Sequence, residues 1–96
     1  MITMKESKYK IILVTTVGCE GCKIMYNNIS KAIGTHSKSI SFIEADYKLN
    51  NEPFIKKYKF TDFPTTLFIK DNVLQFKLVG TKPIVAIHRY IDVYFK

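Results

Sequence analysis

The run Tyr9-Lys10-Ile11-Ile12-Leu13-Val14-Thr15 is almost continuously apolar and rich in β-branched residues, the pattern of a strand covered on both faces. Beyond it the period changes. Ile24, Met25, Ile29, Ala32 and Ile33 recur at helical spacing with Asn27, Asn28, Ser30 and Lys31 among them. This predicts an amphipathic helix that begins at Cys19 and is closed by Gly34 as a residue just past its end. Ile40-Ser41-Phe42-Ile43-Glu44-Ala45 alternates loosely enough to be a second strand, and Asp46 to Asn51 reads as loop. Asn51 can cap a short helix with Glu52 and Pro53 in its first turn and Phe54, Ile55 and Tyr58 on one face, fading near Lys59.

The C-terminal third has a different rhythm. Phe63-Pro64-Thr65-Thr66-Leu67-Phe68-Ile69-Lys70 reads as a strand entered through a proline, and Asp71-Asn72 supplies turn chemistry. Val73 to Val79 then returns as an alternating strand, so the two segments form a hairpin. Gly80 breaks the pattern. Thr81 can cap a last helix that has Pro83 in its first turn and packs Ile84, Ile87, Ile91 and Tyr94 on one face.

The resulting order is β-α-β-α-β-β-α, with a helical crossover between the first two strands and a hairpin at the end. That combination requires a mixed four-stranded sheet flanked by about three helices, an α/β fold with a right-handed crossover. At 96 residues, without a Pro/Gly-rich linker or repeat, residues 1–96 read as a single domain, expected to be a monomer.

Charge narrows the partners. The formal net charge is +7, yet Arg89 is the sole arginine and the lysines are spread over every segment. Dispersed lysine reads as a solvated surface that steers acidic protein partners rather than as a nucleic-acid interface. Met1 to Lys8 lacks the apolar core of a secretion signal, and no apolar run is long enough to cross a bilayer. A cytoplasmic protein with no membrane partner is the expectation.

Chemistry concentrates in Val17-Gly18-Cys19-Glu20-Gly21-Cys22-Lys23, which holds the only two cysteines. Two intervening residues let the pair close a small disulfide ring if the backbone bends there, and a helix starting at Cys19 supplies the bend. Its unpaired N–H groups and dipole favour thiolate over thiol. Strand, short loop, CxxC and helix together form the arrangement of a thiol–disulfide centre. Three other readings remain. A zinc half-site would need ligands beyond the distant His36 and His88, and a scaffold disulfide across so short a loop removes little chain entropy. Chance placement is the third. His36 and His88 themselves read as ordinary residues of a polar loop and of the last helix, and Met25 as core. No metal is expected.

With the cysteine pair, Phe63-Pro64-Thr65 and the strand, hairpin and glycine that follow, the chain resembles the thioredoxin superfamily from about Tyr9 to its end. The resemblance implies that Pro64 is a cis-proline facing the disulfide. It implies that Cys19 and Cys22 are catalytic, and that Gly21, Phe63, Pro64 and Gly80 line a shallow substrate-docking surface. The activity implied is thiol–disulfide exchange with protein substrates, recharged by a reductase or glutathione, without metal or organic cofactor.

The departures are specific. Gly18 stands where thioredoxins have tryptophan, Glu20-Gly21 where they have glycine-proline, and Asn27 where they have a helix-kinking proline. Their buried aspartate has no counterpart among Leu13 to Thr16, and its lysine partner is replaced near Glu44. A water, Glu20 or Glu44 would then have to take the proton of Cys22. The N-terminal strand and helix of full thioredoxins also have no counterpart, which leaves the shorter core that glutaredoxins have, but a glutaredoxin's glutathione site would need paired glycines and an aspartate where this chain has Val79-Gly80-Thr81-Lys82-Pro83. The missing aspartate and tryptophan also leave room for a non-catalytic binding module on the same fold.

Overall fold

The structure is a computed structural model that describes residues 8–49 and 53–96. Its elements follow in chain order: β1 (Tyr9–Thr15), α1 (Glu20–Gly34), β2 (Ile40–Asp46), α2 (Pro53–Lys57), β3 (Thr65–Lys70), β4 (Val73–Val79) and α3 (Ile84–Tyr94). The strands form one mixed four-stranded sheet in the order β2-β1-β3-β4. β1 pairs in parallel with β2 and antiparallel with β3. The expected α/β architecture is therefore present.

β1 is central, and this explains its unbroken apolar run: Ile11, Ile12, Leu13 and Val14 are all fully buried. Side chains alternate across a strand. Ile11 and Leu13 join Met25, Ile29 and Ala32 of α1 and Ile87 and Ile91 of α3 in one cluster, which Phe68, Leu78 and Phe95 complete. Ile12 and Val14 point the other way, into a smaller cluster with Ile55, Phe60, Leu67 and Ile69. α1 and α3 thus cover one face, and α2 with the following loop covers the other.

Several boundaries differ from the sequence reading. β3 begins at Thr65 rather than Phe63, because Pro64 has no N–H to give to a ladder. The proposed cap Asn51 and Glu52 lie outside the described residues, and α2 ends at Lys57. Gly34 is the last helical residue, not a left-handed terminator. Thr35 is the cap, its N–H reaching Ile33 O and Lys31 O, and its hydroxyl donating to Lys31 O and Ala32 O. Of the apolar positions assigned to α1, Ile24 is 54% exposed. The buried stripe runs through Cys22, Met25, Ile29 and Ala32, and a neighbouring position lies about 100° off it. Among the described residues no helix is long and apolar enough to cross a membrane.

The hairpin closes as its residues suggest. Asp71 and Asn72 adopt φ of 52° and 63°, the left-handed pair of a tight turn whose twist matches the strands. A bulge between Phe68 and Ile69 shifts the register, and Phe76 stacks on Tyr94 with ring centroids 4.4 Å apart, tying β4 to α3.

Candidate active site

β1 ends at Thr15 and delivers the chain to the lip of the sheet, where Gly18 turns with φ of 77°. Cys19 then takes an extended conformation and caps α1: its Sγ accepts the backbone N–H of Cys22 at 3.1 Å. Its sulfur thus occupies the place that a serine or aspartate oxygen fills at ordinary helix starts. Cys19 and Cys22 are joined, with Sγ atoms 2.21 Å and Cα atoms 5.3 Å apart. Cys19 is half-buried, whereas Cys22, on the inward stripe of α1, is only 4% exposed.

A second segment approaches α1 at Gly21, between the two cysteines in sequence. The Phe63–Pro64 peptide bond is cis. Pro64 is buried, and its carbonyl accepts the N–H of Gly80 at 2.8 Å. The ring approaches α1 closely: a Cβ built on Gly21 would stand 3.3 Å from Pro64 Cδ and 2.8 Å from Thr81 Oγ1. Gly21 thus packs against Pro64, and Pro64 in turn is hydrogen-bonded to Gly80. Phe63, next to Pro64, is half-buried and packs on Tyr47 with ring centroids 5.6 Å apart.

Thr81 does not cap α3 as its sequence position suggests. Pro83 occupies the cap without a side-chain bond, and the Thr81 hydroxyl instead donates to Gly21 O at 3.3 Å. The neighbouring Lys82 is held at both backbone groups. Its N–H points at Met25 Sδ at 3.4 Å, and its carbonyl accepts from Asn28 Nδ2 at 2.9 Å. Sequence reasoning missed Thr81, Asn28 and this use of Met25, since each bond spans more than half the chain.

Behind the disulfide an open cleft is lined by Thr15, Thr16, Glu20, Cys22, Lys23 and Glu44. Leu13, fully buried, packs in the core under α1, and Phe42 is half-buried against the same cluster. Cross-strand from Leu13 lies Thr66. Its buried Oγ1 has no hydrogen-bond partner among the described residues.

His36 and His88 come together far from this site, beyond the opposite end of α1. Asp92 lies between them, its carboxyl held below the usual range first by the hydrogen bond from His36, which outweighs an opposing effect of burial, and further by the charges of both histidines and Lys38.

The sequence profile of the thioredoxin family matches residues 2–93, and the chain belongs to that family. No individually curated protein sequence matches it significantly. Solved structures do. Mitochondrial thioredoxin 3 of Saccharomyces cerevisiae, in its oxidized form, superposes with a TM-score of 0.76 at 25% identity, covering 93% of this chain and 81% of that one. Thioredoxin-2 of the malaria parasite, described as a component of the parasite's protein secretion machinery, gives 0.78 at 16% identity, covering 97% and 88%. A single-site mutant of a thioredoxin from Halobacterium salinarum gives 0.78 at 14% identity, covering 94% and 77%. The last two likenesses bear on the fold alone. At the level of the family, the fold and the paired cysteines support thiol–disulfide oxidoreduction.

Proposed function

We propose that the protein exchanges disulfides with other proteins through Cys19 and Cys22. The observation that carries this reading is the asymmetry of the pair: half-buried Cys19 at the N-cap of α1, and buried Cys22 a turn further in. In the reductive direction the Cys19 thiolate attacks a substrate disulfide, and the departing substrate sulfur takes up a proton. The resulting mixed disulfide is attacked at Cys19 Sγ by the Cys22 thiolate, which releases the second substrate thiol. Two electrons have then passed to the substrate, and the Cys19–Cys22 disulfide remains. A reductase or glutathione recharges it, and a reducing compartment such as the cytoplasm suits that cycle.

Substrate docks on Gly21, Phe63, Pro64 and Gly80, where an extended segment pairs with backbone beside Pro64. The close approach of Pro64 to α1 supports this role, because it leaves a shallow floor with no side chain projecting from Gly21. Dithiothreitol-coupled insulin reduction tests the proposal: turnover abolished by Cys19→Ser supports it.

One observation favours a second reading. The end of β1, Leu13 to Thr16, offers no carboxylate to serve exchange as a buried proton acceptor, and the acids that line the cleft with Cys22 are the exposed Glu20 and Glu44. A non-catalytic binding module needs no such acceptor. Insulin reduction at the dithiothreitol background rate, by a folded wild-type protein, would select that reading.

A further inference from the structure

The chain's two histidines are far apart in sequence, yet their ring centroids lie 4.6 Å apart. His36 follows the C-terminal end of α1, and its Nε2 lies 2.7 Å from Asp92 Oδ1. His88 stands one turn before Asp92 on α3, with Nδ1 3.8 Å from Oδ2. One ligand atom from each of the three side chains falls within 4.8 Å of the others.

We propose that His36, His88 and Asp92 bind a divalent first-row transition ion, for which Zn2+ is the best chemical match. Two imidazoles and one carboxylate are borderline donors that suit zinc and its neighbours and discriminate against Mg2+ and Ca2+, which prefer all-oxygen sites. Three protein ligands leave a fourth tetrahedral position for water. With metal–ligand bonds of about 2.0–2.1 Å, ligand atoms in a tetrahedral site stand about 3.4 Å apart, so closure asks each side chain to move by under about 1 Å. The supports are already placed: His88 and Asp92 share one face of α3 at i,i+4 spacing, and the His36 side chain is only 5% exposed.

The same geometry limits the affinity. Lys38 N–H donates to His36 Nδ1 at 3.1 Å, which leaves the neutral ring's proton on Nε2, facing Asp92. An ion at Nε2 displaces that proton to Nδ1 and removes the acceptor of the Lys38 amide. Lys38 also acts electrostatically on Asp92, and Arg89 lines the same groove as His88 and Asp92. The site is therefore exchangeable rather than a permanent structural centre. Once occupied, it pins the connection after α1 to α3, about 20 Å along α1 from the cysteines, and it stands whether or not the disulfide-exchange reading does.

The test uses the full chain with Cys19 and Cys22 kept as the disulfide, so that no thiolate competes for metal. Calorimetric titration with Zn2+ should give one ion per chain and no heat with Mg2+ at the same concentration. His88→Ala and Asp92→Asn, both at partly exposed positions, should each weaken Zn2+ binding at least tenfold while circular dichroism stays native. Zn2+ should also shift the Lys38 amide resonance. Absence of Zn2+ binding, or binding unaltered in both folded variants, would overturn the proposal, as would its loss in the Cys19→Ser/Cys22→Ser protein.

Discussion

The Thr81 hydroxyl donates to the Gly21 carbonyl at 3.3 Å and stands 2.8 Å from the point that a Cβ on Gly21 would occupy. Gly21→Ala therefore has two opposed effects. Alanine raises helix propensity by up to about 1 kcal/mol. Its methyl also pushes Thr81 aside, which is easy for an exposed side chain, and presses on the buried Pro64 ring, which is not. The two should nearly cancel in stability, leaving the urea midpoint close to wild type, while the displaced Pro64 surface slows insulin reduction severalfold. Exchange at the wild-type rate would show that the floor beside Gly21 tolerates a side chain.

Exposure and the helix start separate the two sulfurs. In the reduced protein Cys19 should alkylate before Cys22 at neutral pH, because the N-cap position favours thiolate whereas burial opposes it. Cys22→Ser incubated with cell extract should accumulate mixed disulfides that dithiothreitol releases, and Cys19→Ser should trap far fewer. Mass spectrometry of partly alkylated protein settles the order, and faster modification of Cys22 would reverse the assigned roles.

Thr66 carries a buried hydroxyl without a partner among the described residues, flanked by Leu13 and Leu78 in the register of the sheet. A buried unpaired polar group costs about 1–3 kcal/mol, and valine has nearly the same shape with a methyl in place of the hydroxyl. Thr66→Val should accordingly stabilise the fold by about 1 kcal/mol. Chemical denaturation checks this, and a destabilised variant would mean that the hydroxyl has a bound water or another acceptor.

Met25 is fully buried between β1 and α3, and its sulfur also receives the Lys82 N–H. Met25→Ala should cost about 2–5 kcal/mol through lost contacts and a cavity. Met25→Leu conserves volume and should cost under about 1.5 kcal/mol, yet it should loosen the loop from Gly80 to Lys82. Hydrogen exchange at the Lys82 amide separates the two contributions. Unchanged protection there in the leucine variant would show that the sulfur contact adds nothing.

At the hairpin, Asn72→Ala should destabilise by about 1 kcal/mol, since the position requires positive φ and asparagine tolerates it better than alanine. Asn72→Gly should be neutral or mildly stabilising, and equal melting temperatures for the two variants would contradict the left-handed turn.

Much of this protein is determined by local chemistry that can be read residue by residue. A strand apolar throughout, as Ile11 to Val14 is, must be covered on both faces. Asp71-Asn72 between two apolar runs must turn tightly, and a CxxC that opens a helix must place one sulfur at its cap. Such features depend on backbone dihedrals and periodicity within a few residues, so the element order, the mixed sheet and the cysteine pair were all legible.

What only the tertiary structure decided depends on how α3 lies across α1. Ile24 and Met25 are equally apolar neighbours, and the sheet's position buries one and exposes the other. Thr81 has the sequence of a helix cap, but the close approach of α1 offers it the Gly21 carbonyl instead. His36 and His88 carry no local signal of each other, although the i,i+4 spacing of His88 and Asp92 marks half of their cluster. Pairings between distant segments are selected by the packing of whole helix faces, a sum of many small contacts that no short window of sequence contains.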